Sequence, residues 1–197
     1  LTGVIVARTL GPEMLGVWVL LSLVSAYAEA FGRLKTDIAS VYIIGSGKAK
    51  PYEVFFSTNF FALATSLIIV LLLFWQLDSL HDLFFSDSKI TYHLEFTFLI
   101  LLIPFEFILL NNLYFLLALE NVIPYNRIKV LKATINFIVI VFLILVLDFK
   151  LWALVLAKIL STLIPLVYGW SGLDRKGWVG LRLRWNGSLS LELLRYA

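Results

Sequence analysis

Four ionisable side chains lie within nine positions of an otherwise apolar segment: Glu29, Arg33, Lys35 and Asp37. A guanidinium or ammonium group binds anions, and a carboxylate takes up a proton or a sodium ion. Each Arg, Lys or Asp at the centre of a membrane-spanning helix costs roughly 2.5–3.5 kcal/mol on insertion scales, so these residues normally face a polar cavity or a partner. The four residues therefore predict a water-lined path through a membrane.

The spacing of polar residues in this segment predicts one polar helix face. Three- and four-residue steps connect Ser22, Ser25, Ala26, Glu29, Gly32, Arg33, Thr36, Asp37 and Ser40. Arg33 is four residues from each carboxylate, so the three charges can pair along one helix, whereas Lys35 lies off the stripe. If one helix spans 14–44, Arg33 lies about 6 Å from its middle. The stripe either lines a pathway or forms a self-neutralised structural network between helices.

Two further charged residues lie inside predicted spans. Lys158 begins about 11 Å from the extracytoplasmic end of its helix by helical rise, and either lines a cavity or extends towards the interface. Its face also carries Ser161, Thr162, Pro165, Tyr168 and Gly169. Glu106 follows Pro104 and is either a protonatable coupling acid or a protonated, hydrogen-bonded structural carboxyl. Interhelical hydrogen bonds are expected from Asn59, Asn111, Asn112 and Asn136.

The elements that must position these residues are apolar helices. Hydrophobic residues make up 61% of the 197-residue chain and charged residues 15%, so the surplus apolar surface must face lipid. We expect full spans at 14–44, 55–75, 94–119, 133–147 and 151–170, and the end of a truncated first span at 1–7, before a break at Gly11-Pro12. The fold class is therefore all-α and polytopic, with five complete spans and one partial span in residues 1–172.

Basic residues predict the orientation of this bundle. Nine fall after the second, fourth and sixth spans: Lys48, Lys50, Arg127, Lys129, Lys132, Arg175, Lys176, Arg182 and Arg184. The opposite loops carry Arg8, Lys89 and Lys150, so the first side is predicted to be cytoplasmic, and the loop around Asp78, Asp82 and Asp87 extracytoplasmic. Residues 173–197 are expected to form an interfacial linker, with alternating basic residues in LRLRW, and the start of the next helix.

Sequence motifs for enzymatic chemistry fail on inspection, so we predict that the chain is not an enzyme and has no catalytic residues. The chain has no cysteine, and GSGKAK lacks the first glycine and the Ser or Thr of a phosphate-binding loop. His81 and His93 match no metal motif, so neither a metal site nor a cofactor is expected. Basic residues follow the membrane face, which predicts contact with membrane lipids and no nucleic-acid binding.

A local motif then points to a family. The segment ARTLGPEMLGVW, residues 7–18, resembles the turn between the first two helices of polysaccharide flippases. These are the O-antigen and capsule exporters of the multidrug/oligosaccharidyl-lipid/polysaccharide superfamily. The motif is carried by Ala7, Arg8, Leu10 to Glu13 and Gly16, and the basic loop after the second helix agrees with it. The chain departs from the family pattern at FGRLKTDIAS, where such proteins have a mostly apolar glycine-leucine stretch.

The resemblance implies a two-lobe transporter of the bacterial cytoplasmic membrane, of which residues 1–172 of this chain would supply the amino-terminal six-helix lobe. Its substrate would be an undecaprenyl-pyrophosphate-linked oligosaccharide, moved by alternating access. Arg33, with Lys158 and Lys35, would neutralise the pyrophosphate. A coupling H⁺ or Na⁺ would bind at a carboxylate: Glu29, Asp37 or Glu106. Alternatives are a drug/cation antiporter of the same superfamily, which would have an acidic, aromatic cavity, and an integral-membrane glycan polymerase or ligase.

Overall fold

A computed structural model describes residues 2–33, 35–85 and 92–174, and this part of the chain is helical with no strand. Its helices are α1 (Thr2–Gly32), α2 (Thr36–Gly45), α3 (Pro51–Trp75), α4 (Leu77–Phe85), α5 (His93–Ala118), α6 (Val122–Leu145) and α7 (Lys150–Asp174). Five of them, α1, α3, α5, α6 and α7, are long and apolar enough to cross a membrane. The all-α prediction is confirmed, and these helices indicate a multi-pass membrane protein. The six-helix lobe stays a prediction.

Helix α5 is the central element of the bundle. It carries apolar residues on all its faces, which is typical of a helix surrounded by protein, and it packs against α1, α2, α3, α6 and α7. Towards its amino-terminal end, Phe96, Ile103 and Phe107 form a core with Leu21 of α1 and Val155 of α7. Towards its carboxy-terminal end, a second core forms around Leu109, Phe115, Ile128 and Leu166. Helices α1, α3 and α7 therefore pack directly on α5, whereas α6 packs mainly on α7.

The predicted break at Gly11-Pro12 is confirmed as a kink inside α1. Gly11 has φ 75° and ψ 171°, a backbone conformation almost confined to glycine, and Pro12 follows with the φ that starts a new helical turn. Val6, before the kink, and Trp18, after it, belong to the same apolar cluster on α6 and α7. The kink lets both parts of α1 contact one surface.

The predicted continuous helix over 14–44 is wrong, because the chain leaves the helical path after Gly32. Lys35 adopts the left-handed conformation with φ 47°, and a new helix, α2, begins at Thr36. Glycine is a poor residue for a helix interior, and Asp37 in the first turn of α2 suits the positive end of a helix dipole. These local preferences favour a break in spite of the hydrophobic pattern on both sides.

Two other boundaries differ from the predictions. Helix α6 begins at Val122 rather than at residue 133, because polar and basic residues occupy exposed positions of its first turns and Pro124 is tolerated there. The predicted outer loop around Asp78 contains the short helix α4. The antiparallel pairing of α6 with α7 across a short connection is confirmed: Ile144 packs near Ala153. The predicted linker at 173–197 lies almost entirely outside the described residues.

Candidate functional site

The break between α1 and α2 lies beside the middle of α5. Gly32 is buried against α3 and α5: a Cβ placed there would overlap the side chain of Ile69 and lie 2.9 Å from Phe107 Cζ. Since Phe107 follows the midpoint of α5, the backbone at Gly32 lies at mid-depth of the bundle. Arg33 therefore leaves the backbone near mid-depth, whereas a continuous helix over 14–44 would place it about 6 Å from the middle.

Arg33 holds both predicted carboxylate partners. Its Nη1 donates to Glu29 Oε1 at 3.1 Å, and its Nη2 donates to Asp37 Oδ2, so the i,i+4 pairs are confirmed although a helix break separates them. The guanidinium carbon also lies 5.2 Å from the ring centre of Tyr114 on α5. We call Glu29, Arg33, Asp37 and Tyr114 the Arg33 cluster. With two carboxylates around one guanidinium, the cluster has a formal net charge of −1.

The Arg33 cluster is largely, but not completely, closed off by protein. The Arg33 side chain is 14% exposed and that of Asp37 is 5% exposed, whereas the Glu29 side chain is 39% exposed. Arg33 Nε is buried and has no hydrogen-bond partner. The backbone carbonyl of Arg33 accepts from the amide and the hydroxyl of Thr36, which stabilises the break. The cluster thus has one open side, at Glu29, and one buried donor without a partner, Arg33 Nε.

The guanidinium of Arg33 points towards one end of the bundle. Its aromatic partner Tyr114 is four residues, or about 6 Å by helical rise, from the end of α5 at Ala118. That end leads into the basic connection predicted to be cytoplasmic. The charged group therefore lies closer to the predicted cytoplasmic side than its Cα atom does, as expected for a long side chain that avoids the hydrocarbon centre.

Lys35 remains outside the Arg33 cluster. Its side chain is exposed, and among the described residues it forms no ion pair with Glu29, Asp37 or any other carboxylate. Its left-handed backbone at the start of α2 directs it away from the face that Arg33 and Asp37 share. The predicted position of Lys35 off the polar stripe agrees with this arrangement.

Glu106 and Lys158 form a second charged cluster, between α5 and α7. Lys158 Nζ lies 3.4 Å from Glu106 Oε1, and both side chains are mostly buried. Glu106 lies at the middle of α5, eight residues before Tyr114, which corresponds to about 12 Å along the helix. The predicted anion-binding residues Arg33 and Lys158 are thus held by different carboxylates in two places. Thr162, one turn after Lys158, is buried with an unpartnered hydroxyl.

Three of the four asparagines predicted to form interhelical hydrogen bonds join α3 to α5, whereas Asn136 forms none among the described residues. Asn111 Nδ2 donates to the carbonyl of Thr58 at 2.9 Å, and Asn59 Nδ2 lies 3.5 Å from Asn112 Oδ1. Asn59 Oδ1 and Asn112 Nδ2 are buried without a partner. These amides fix α3 beside the part of α5 that carries Tyr114.

Sequence reasoning missed two parts of the site. The break itself has a weak local signal, Gly32 followed by Thr36 and Asp37, which reads as one helix ending and another starting. Tyr114 has no such signal, because its contact with Arg33 depends on how α5 packs against α1 and α2. Comparisons with protein-family models, with curated proteins and with solved structures each found no match. The function is therefore argued from the two charged clusters and the broken helix.

Proposed function

We propose that this chain is part of a membrane transporter that carries undecaprenyl-pyrophosphate-linked oligosaccharide across the bacterial cytoplasmic membrane by alternating access. The single observation that carries the proposal is the helix break at Arg33 inside an apolar bundle. Irregular backbone at membrane depth is tolerated where it is covered by protein or lines a cavity, and broken helices with charged residues recur at transporter binding sites. The family resemblance of residues 7–18 supports the choice of substrate.

Arg33 is the residue proposed to bind the pyrophosphate. Its guanidinium presents a planar set of donors that suits phosphate oxygens, and its Nε has no partner. The open side of the cluster at Glu29 offers a route for the headgroup, while the polyprenyl chain stays in lipid. Lys35, exposed at the break, adds a second positive charge near the entry route.

Glu29 and Asp37 are proposed to couple transport to an ion. Both now bind the guanidinium, so an anionic substrate competes with them for the same donors. Uptake of a proton or a sodium ion by either carboxylate weakens its hold on Arg33 and makes that guanidinium available to the pyrophosphate. Ion binding and substrate binding then favour each other at this site, which links the two binding equilibria.

Arg33→Ala tests this proposal. We expect the variant to accumulate in the membrane at near wild-type level and to lose glycan export, since the exposed side of the cluster lets water solvate the two carboxylates. Export is measured as surface glycan, with immunoblots of membrane fractions reporting the protein level. Lys129→Ala, which removes an exposed cation in the amino-terminal part of α6, serves as the matched control and should leave export unchanged.

A triple variant separates binding from structure. If the cluster is only structural, Arg33→Ala leaves the buried carboxylate of Asp37 and the partly exposed one of Glu29 without a partner and reduces protein abundance. Adding Glu29→Gln with Asp37→Asn then restores abundance and export together. Export by the triple variant would contradict the anion-site proposal, because no cation would remain in the cluster to hold the pyrophosphate.

A cation antiporter of the same superfamily is the second candidate, and one observation favours it. The Arg33 cluster carries more negative than positive charge and includes the ring of Tyr114, which suits a lipophilic cation. For this function, Glu29→Gln with Asp37→Asn would abolish extrusion of a fluorescent cation such as ethidium from cells. Arg33→Gln would leave that extrusion measurable.

A further inference from the structure

A groove between α6 and α7 is separate from both charged clusters. Its volume is about 620 Å³, within the range of ligand sites, and it is lined by Ile123, Asn126, Arg127, Val130, Leu131, Thr134 and Tyr168. The α6 residues follow three- and four-residue steps, so they form one face of that helix. A Cβ on Gly169 would lie 3.2 Å from Ile128 Cδ1, so α6 and α7 approach closely beside the groove.

The groove has polar chemistry at one end and apolar walls along the rest. Asn126 and Arg127 lie near the start of α6, which is predicted to be at the cytoplasmic surface. Among the described residues, the exposed Arg127 makes no ion pair or hydrogen bond. Lys129 differs, since its Nζ lies 3.4 Å from the hydroxyl of Tyr125 and outside the groove. The guanidinium of Arg127 is therefore the charge available to a ligand in the groove.

The groove runs along α6 from the predicted membrane surface into one leaflet of a bilayer. From Arg127 to Thr134 the helix rises about 10 Å, and half of the hydrocarbon core of a bilayer is about 15 Å, so the groove can hold the part of an acyl chain nearest its headgroup. An acyl chain that starts at a headgroup near Arg127 would follow Val130 and Leu131 towards the bilayer centre. Tyr168 on α7, whose ring is partly exposed, forms the opposite wall.

We propose that this groove binds a phospholipid with an anionic headgroup from the leaflet that surrounds the start of α6. The lipid phosphate accepts hydrogen bonds from Arg127 and Asn126, and one acyl chain fills the space between α6 and α7. Charge complementarity selects the headgroup, because an unpaired guanidinium at the membrane surface attracts anionic lipids. This lipid site does not depend on the transport function proposed for the Arg33 cluster.

Photo-crosslinking tests the lipid site in the full chain reconstituted in phosphatidylcholine nanodiscs. The discs carry a trace of phosphatidylglycerol with a diazirine on one acyl chain, and mass spectrometry maps the adducts. We expect adducts on the α6 and α7 residues that line the groove, and Arg127→Gln should lower their yield about fivefold. Lys129→Gln removes the same charge two residues away, outside the groove, and should leave the yield unchanged.

A second variant and a second lipid make the test decisive. Val130→Trp fills the groove from an exposed position and should lower the adduct yield in a protein whose circular dichroism and size-exclusion profile are unchanged. Equal labelling by diazirine phosphatidylcholine would overturn the proposal, because no headgroup would be recognised. It is also overturned by an equal loss in the Lys129→Gln and Arg127→Gln variants, or by adducts that fall outside the groove.

Discussion

At the scale of single residues, the buried charges of Glu106 and Lys158 each depend on the other for compensation. Glu106 lies at the middle of α5, buried in the apolar interior of the bundle, and Lys158 reaches it from α7. Desolvation of each charge is unfavourable, and the attraction between them offsets part of it. Removal of one member therefore leaves a buried charge without compensation, whereas removal of both leaves an apolar contact between two helices.

We predict that Glu106→Gln destabilises the protein by about 3–5 kcal/mol, because it leaves the Lys158 ammonium buried and unpaired. The double variant Glu106→Gln with Lys158→Met should recover most of this loss. Reversible unfolding of the purified protein in mixed micelles measures both. Glu120→Gln, at an exposed position after α5, is the control and should change stability by less than about 0.5 kcal/mol. A double variant no more stable than Glu106→Gln alone would argue against the pair.

At the scale of elements, two glycines interrupt the first membrane helix for different reasons. Gly11 supplies a backbone conformation that other residues rarely adopt, and its missing Cβ has no close neighbour. Gly32 instead lets the backbone approach α3 and α5 closely, since a Cβ there would meet Ile69 and Phe107. The first glycine sets the angle of the kink, and the second brings the helix break against α3 and α5. Together the two glycines let this segment pack against several neighbouring helices.

The kink gives a matched pair of variants within α1. Gly11→Ala should destabilise the protein by about 1–3 kcal/mol, since alanine is strained at φ 75° and ψ 171°. Gly16→Ala lies five residues further on, in regular helix, where a Cβ also meets nothing within 4 Å. It should stabilise by about 0.5–1 kcal/mol. Thermal unfolding in detergent compares them, and similar shifts for both would show that backbone strain at Gly11 is unimportant.

At the scale of the whole molecule, α5 forms the centre of the bundle and α6 lies at its edge. More than half of the residues in α5 are buried, whereas most of the membrane-length part of α6 is not covered by other residues of the chain. The charged clusters lie on the faces that α5 shares with α1, α2 and α7. The groove lies between α6 and α7, on the outer side. Buried polar contacts and lipid-facing surface are thus separated within the same bundle.

The orientation of this bundle in the membrane can be tested directly, because the chain contains no cysteine. Single cysteines at Ser46 and Asn126, both exposed at the ends predicted to be cytoplasmic, should react with a membrane-impermeant maleimide only after the cells are opened. A cysteine at Gln76, between α3 and α4, should react in intact cells. The opposite labelling pattern would reverse the topology and place the open end of the lipid groove in the outer leaflet.

Several features were predictable because they depend on neighbours along the chain. The apolar segments predicted the helical fold, and i,i+4 spacing predicted both ion pairs of Arg33. Gly11-Pro12 predicted the kink, since its conformation is set by those two residues. The helix break at Lys35 was harder to predict from the sequence, because a continuous apolar pattern on both sides favours one long helix. Its local signal, Gly32 before Thr36 and Asp37, is weaker than that pattern.

The sequence by itself determined that the chain forms apolar helices long enough to cross a membrane and that Arg33 has carboxylates within reach. Only the tertiary structure decided that Lys158 pairs with Glu106, that Tyr114 covers Arg33 and that a groove opens beside Arg127. These contacts join residues on different helices, so they depend on the rotation and axial position of each helix. Packing of all the helices together sets that rotation and position, and hydrophobic periodicity within one helix does not specify them.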